Sequence, residues 1–174
     1  MFNISNKVAY DGLMVFGTPI RQDLNLPPSK WIHVESIEAE GHWIPAEGKI
    51  VESLLDGLIR QGVSSENIFL ISPFRVVVRQ LRIISRRFNG IKAGTIHTVQ
   101  GKESEVVILV LGGDPHRPGA KQWASARPNL LNVAASRAQR RLYVVGNQDT
   151  WQQYRFFSTC VAILKQWNAN SETP

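Results

Sequence analysis

The hydrophobic positions of this 174-residue chain follow two rhythms. Short runs that are apolar throughout, or that alternate with polar residues, predict strands; apolar residues three and four apart predict helices. WIHVES, Trp31 to Ser36, alternates and predicts a strand. Pro45 then stands where a helix can open, because the first turn does not need its missing N–H. Ile50, Val51, Leu54, Leu55 and Leu58 follow on one face of that helix until Gly62 ends it. NIFLIS, Asn67 to Ser72, predicts the next strand, with Ser72-Pro73 as the cap and first turn of another helix.

The segment FRVVVRQLRIISRRF carries a local conflict. Its three consecutive valines favour a strand, yet Arg75, Arg79, Arg82 and Arg86 recur at helical spacing opposite Val77, Leu81, Ile84 and Phe88. The helical period covers the longer window and predicts a helix. A short strand is expected from Lys92 to Ile96, and a buried one from Glu105 to Leu111. GGDPHRPGAKQWASARP reads as a long loop broken by glycine and proline. NLLNVAASRA predicts a helix, RRLYVVG a further buried strand, and Asp149 to about Trp167 a closing helix. Residues 1–30, punctuated by Gly12, Gly17, Pro19 and Pro27-Pro28, are expected to be an irregular connecting arm, leaving 31–174 as one domain.

Strands alternating with helices imply an α/β three-layer sandwich, a mainly parallel sheet with helices on both faces. In such sheets ligands gather beyond the C-terminal ends of the strands. The loops after Ser72, Ile96, Leu111 and Gly146 are therefore the first places to look for chemistry.

Apolar residues at 43% and charged residues at 20% are ordinary for a globular domain. The longest apolar run, VVILVL, falls far short of the ~20 residues that cross a membrane. No basic-then-apolar leader opens the chain, and the single Cys160 excludes an internal disulfide and reads as a buried thiol. A cytoplasmic location with no membrane partner is the expectation. Charge is unevenly spread: residues 1–74 hold five Lys/Arg against nine Asp/Glu, whereas 75–141 hold thirteen against three. Such a concentration is the footprint expected for a polyanion, the alternative being a solvated basic surface.

TIHTVQGKES contains the Gly-Lys pair of a phosphate-cradling loop, but that loop needs a first glycine five positions before Gly101 and a hydroxyl after the lysine. Ile96 and Glu103 stand there instead. No window of the chain supplies a complete loop, and no strand ends in a paired Asp-Glu to hold a metal.

ISPFRVVVRQLR, GTIHTVQGKESEVVILV and NLLNVAASRAQRRLYVVGN, in that order, resemble motifs IV, V and VI of superfamily 1 helicases. The likeness is to the branch in which Gln-Gly-x-Glu precedes a buried strand and Asn-Val-Ala-x-[Ser/Thr]-Arg-Ala forms a helix. YDG at Tyr10 to Gly12 is similar to the segment that leads into this domain. The family builds its motor from two RecA-like domains, and the chain looks like the second, C-terminal one. ATP and Mg²⁺ would then belong to the complete enzyme, with neither bound tightly by this chain alone and no metal ligand within it. The partners implied are a single-stranded nucleic acid and a missing N-terminal RecA-like domain, in cis or on a separate chain.

The resemblance also assigns residues. Arg137 matches the arginine that reaches the γ-phosphate across the domain interface; a plain surface arginine is the alternative. Glu103 and Gly101 match positions near the nucleotide, the carboxylate toward the ribose hydroxyls and the glycine for close backbone approach. Gln100 matches a residue that holds the loop or contacts phosphate. Thr95, His97 and Thr98 match positions that touch the single-stranded backbone. Phe74 takes the aromatic motif IV position, near the base or the strand or else in the core. Arg75 and Arg79 open a stripe that either lines the nucleic-acid track or faces solvent. The five tryptophans are scattered and do not suggest a stacking platform. Two departures from the pattern are Gln139, where a second basic residue is usual, and Gly112-Gly113-Asp114 after the motif V strand. A stand-alone nucleic-acid-binding or regulatory module that has kept the fold is the second reading.

Overall fold

The run IFLI and the run VVILV become the two central strands of a five-stranded sheet in the computed structural model, which describes residues 2–13, 26–98 and 103–171. The strands are β1 (Lys30–His33), β2 (Ile68–Ile71), β3 (Lys92–Gly94), β4 (Ser104–Val110) and β5 (Ala138–Gly146). Their order is β1-β5-β4-β2-β3, and every neighbouring pair is parallel. Ile68, Leu70 and Ile71 of β2 and Val106 to Leu111 along β4 are shut off from solvent. A parallel strand covered on both faces has no polar side to present, so these segments read as continuous apolar runs.

Among the described residues seven α-helices accompany the sheet: α1 (Phe2–Ala9), α2 (Pro45–Arg60), α3 (Arg75–Ser85), α4 (Pro118–Ser125), α5 (Asn129–Arg137), α6 (Gln148–Trp151) and α7 (Arg155–Ser171). The connections β1–α2–β2 and β2–α3–β3 travel one way across the sheet, while β4–α5–β5 travels the other. Right-handed crossovers therefore set α2 and α3 on one face and α5 on the opposite one. The contacts agree: α2 packs on α3, β4 and β5, and α5 packs on β4, β5, α1 and α7. The expected three-layer sandwich is the observed architecture.

The conflict in α3 resolves as a helix. Val77, Val78, Leu81 and Ile84 are buried while the arginines point outward. Four other expectations are corrected. Residues 1–30 are not irregular throughout, because Ile4 and Val8 lie one helical turn apart and bury the face of α1 against α5 and α7. The expected loop after β4 contains α4, opened by Pro118 at its first turn. The closing helix is two, since Asn147 caps α6 by accepting from the Thr150 N–H and the chain breaks before Arg155. Finally, Ser72 does not cap α3 at Pro73. Its Oγ accepts from the Phe74 N–H at 3.3 Å, closing a turn that delays the helix to Arg75.

Segment 26–29 is strapped to β5. Arg141 donates to the carbonyls of Leu26 and Pro27, the Tyr143 hydroxyl donates to Pro27 O at 2.8 Å, and the Leu142 N–H donates to Ser29 Oγ at 2.9 Å. Burial pushes the Tyr143 phenol up to about 12, so it remains a donor at ordinary pH.

Candidate functional site

β2 and β4 are neighbours whose onward chains diverge, one toward β3 and the other toward β5. Such a switch point leaves a crevice at the C-terminal edge of the sheet, because no loop crosses it. A groove of about 1580 Å³ opens there. Phe74 forms its floor, 6% exposed, with its ring stacked on His42 at 4.2 Å between centroids and 18° between planes. One wall is the outward face of α3, with Arg75, Arg79, Arg82 and Arg86 beside the exposed Ile83. A second is the turn from Thr95 to Thr98, where the Thr98 N–H and hydroxyl both donate to Thr95 O at 3.0 and 2.9 Å. That turn leaves His97 and Thr98 exposed. The third wall is built by α4 and the start of α5, with Trp123, Arg127 and Asn129.

The arginines differ in freedom. Arg82 Nε donates to Ala93 O at 3.3 Å, which pins α3 to β3. Arg87, the next basic residue along the helix end, pairs with Glu52 at 2.8 Å. Arg75, Arg79 and Arg86 make no ion pair among the described residues, so their charge is available to an anion in the groove.

Beneath the groove lies a buried support. Glu47 of α2, only 2% exposed, accepts from the Gly112 N–H at 2.8 Å. Burial pushes its carboxyl up to about 8, against the opposing influence of that hydrogen bond and of Lys121. Lys121 of α4 is itself buried, and burial pulls its ammonium down while Glu47 and Asp114 hold it up. Gly112 must be glycine: its φ is +58°, and an added Cβ would meet His42 O at 2.4 Å. The Gly113 N–H donates to His42 O at 3.0 Å and the Asp114 N–H to His42 Nδ1 at 3.2 Å. A ring nitrogen that accepts is unprotonated, in keeping with burial lowering the His42 pKa. The imidazole is thus held flat against Phe74 by the loop that follows β4.

Glu103 and Arg137 lie at the other end of the sheet. Ser104 pairs with Ala138 at the start of β4 and β5, so the residues just before them leave the sheet at its N-terminal edge. Gln139 Nε2 donates to Glu103 Oε2 at 2.8 Å, and Arg140 pairs with Glu105 at 3.5 Å. The Arg137 Nε is buried and meets no hydrogen-bond partner among the described residues. β4 has seven residues, which at ~3.3 Å each separate this edge from the groove by about 20 Å. Glu103 and Arg137 therefore do not stand in the loops beyond the strand C-terminal ends, where chemistry was first to be sought. The motif V stretch starts at the last residue of β3 and takes in all of β4, and the motif VI stretch takes in α5 and β5. Gln100 and Gly101 lie outside the described residues.

A family model described as an AAA domain matches residues 13–149. The chain belongs to the AAA-domain family. Among curated relatives of this AAA domain, the DNA polymerase alpha-associated DNA helicase A of Schizosaccharomyces pombe is 30% identical over 72% of the chain and 18% of the relative. The DNA-binding protein SMUBP-2 of Rattus norvegicus is 27% identical over 75% of the chain and 13% of the relative. The DNA replication ATP-dependent helicase/nuclease DNA2 of Gallus gallus is 25% identical over 88% and 16%. The AAA domain thus spans less than a fifth of the length of these three relatives. A solved structure, the C-terminal domain of a possible DNA helicase from Lactobacillus plantarum, shares the fold with a TM-score of 0.52 at 13% identity over 84% of this chain and 83% of that one. With the motif order and these relatives, the AAA domain is a superfamily 1 helicase C-terminal domain.

Phe74, Arg75, Arg79, Thr95, His97 and Thr98 all line the one groove. His42, Glu47, Trp123 and Arg127 were missed by sequence reasoning. Glu47 had a signal, since it lies four, eight and eleven residues before Val51, Leu55 and Leu58, on the stripe that faces the core. Trp123 and Arg127 had none beyond Pro118, because glycine and proline around α4 mask its period.

Proposed function

We propose that this AAA domain is the strand-gripping, arginine-supplying half of an ATP-driven superfamily 1 helicase, and that its groove takes single-stranded DNA. The observation that carries this reading is the groove itself. Residues that motifs IV and V assign to the strand are far apart in sequence, yet all line one basic channel at the switch point of the sheet. An exposed imidazole and arginines that make no ion pair among the described residues can donate to phosphate oxygens without reading sequence, and the half-buried Thr95 lines the same channel. The relatives' names favour DNA over RNA as the polymer.

Arg137 is the residue proposed for the nucleotide. Arg137 stands half-buried at this edge, its Nε meets no hydrogen-bond partner among the described residues, and its planar guanidinium suits a phosphate; Glu103 at the same edge offers an acceptor for sugar hydroxyls. No group of three or more His, Cys, Asp or Glu that could hold a metal occurs among the described residues. When bound, ATP supplies the phosphoryl group whose transfer spreads charge over its oxygens. Arg137 carries a permanent, planar charge that can meet two such oxygens at once.

The test titrates labelled single-stranded DNA and RNA onto the chain at two salt concentrations, with Arg75→Ala/Arg79→Ala and His97→Ala variants alongside. Binding that weakens with salt, by roughly 0.7 log units per log unit of salt for each phosphate contacted, and that falls in the variants is the expected result. Variants that bind as the parent does would refute the groove as the strand track. The chain alone is expected to hydrolyse no ATP.

A further inference from the structure

Trp123 is 67% exposed, although a large aromatic ring is normally among the more buried side chains. It stands on α4, two residues from Lys121 and two from Ser125, both buried; the ring therefore projects from the face of the helix that turns away from the protein. That face lines the groove opposite α3. Across the groove stand the guanidinium groups of α3 and the exposed Ile83, and the same wall adds Arg127. Apolar and basic groups line one channel together, the combination that holds bases by stacking and the backbone by charge.

We propose that Trp123 is the base-stacking residue of this groove, with α4 as its second wall, so that a single strand of DNA lies between its ring and the α3 arginines. The proposal rests on the reading of the groove as a strand track and adds contact with the bases to contact with the phosphates. α4 is held for this task from below. Lys121 crosses Gly113 so closely that a Cβ there would meet its Cε at 2.7 Å, and its charge lies in the field of Glu47 and Asp114. The exposed indole thus sits on a helix whose opposite side is fixed in the fold.

The experiment compares an oligothymidylate with an abasic oligomer of the same length and charge, using fluorescence anisotropy on the wild-type chain, Trp123→Ala, Trp123→Phe and Arg79→Ala/Arg82→Ala. Wild type should prefer the base-bearing strand. Trp123→Ala should lose about ten-fold on that strand, within a range of ~5- to 150-fold, and nothing on the abasic one. Trp123→Phe should keep most of the affinity, and the arginine pair should lose affinity for both. Equal binding of both strands by wild type and Trp123→Ala, with the arginine variant still weakened, overturns the stacking proposal and leaves the track. An equal loss on both strands in Trp123→Ala overturns it too, making the ring a wall and not a stacking partner. Failure of wild type to bind either strand, or an arginine variant that binds unchanged, overturns the track reading itself.

Discussion

Replacing Glu47 by glutamine should abolish much of the pH dependence of stability while leaving the fold intact. Once unfolded, Glu47 loses its proton near its ordinary value of 4.5; folded, burial holds the proton until about 8. Between those values the folded chain carries a proton that the unfolded chain has released, so folding takes one up and rising pH weakens the fold. The contribution is fully present below 4.5 and fully lost above about 8. At 1.36 kcal/mol per unit the whole shift amounts to about 5 kcal/mol, of which ~2–3 kcal/mol falls between pH 6 and pH 9. Glu47→Gln keeps the shape and an oxygen to accept from the Gly112 N–H, but has nothing to ionise. Urea unfolding at pH 6 and pH 9 should show wild type losing ~2–3 kcal/mol more than the variant across that interval. Lys121 is present in both proteins and contributes to both. Equal losses in the two proteins would refute the buried protonated carboxyl. So would a variant that is less stable by the same amount at both pH values, since that would mean Glu47 is already a carboxylate paired with Lys121.

Two further outcomes follow from the packing. Gly112→Ala places a Cβ 2.4 Å from His42 O at a φ of +58°, whereas Gly62→Ala meets a similar positive φ with nothing within 4 Å. Gly62→Ala should cost about 1 kcal/mol in urea unfolding, and Gly112→Ala should cost at least ~2 kcal/mol more and weaken strand binding by displacing His42 from Phe74. Leu55, fully buried on α2, should cost about 3–5 kcal/mol as alanine, lowering the midpoint of thermal unfolding by roughly 6–20 °C.

Long periodic segments are legible in the sequence alone. The arginine stripe of α3 showed its exposed face through spacing alone, despite three valines, because in a helix packed on a sheet the burial period outweighs local strand propensity. The strands β2, β4 and β5 announced themselves as apolar runs for the same reason that they are buried on both sides. α1 was not legible, since a helix of eight residues with Ile4 and Val8 as its buried contacts offers too short a period beside glycine and proline. The edge on which Glu103 and Arg137 emerge was legible in principle, since each precedes its predicted strand and a residue before a parallel strand leaves the sheet at the N-terminal edge. Glu47 shows a second limit: a carboxylate on an apolar stripe reads as noise until its partner, an N–H beyond β4, is known.

α5 has a consequence for how the two ends of the domain communicate. Asn129 opens it in the groove and Arg137 closes it at the opposite edge. Nine residues make a rod about 13 Å long. Ala134 and Ala135 let that rod lie close against the sheet, and Asn132 accepts from the Ser5 hydroxyl of α1. A rod so held moves as a lever or not at all. On the function proposed above, a phosphate that drew Arg137 would pull on the same helix that opens in the groove, and any coupling between phosphate and strand would be reciprocal. One helix would then carry both the grip on the strand and the reach toward the phosphate.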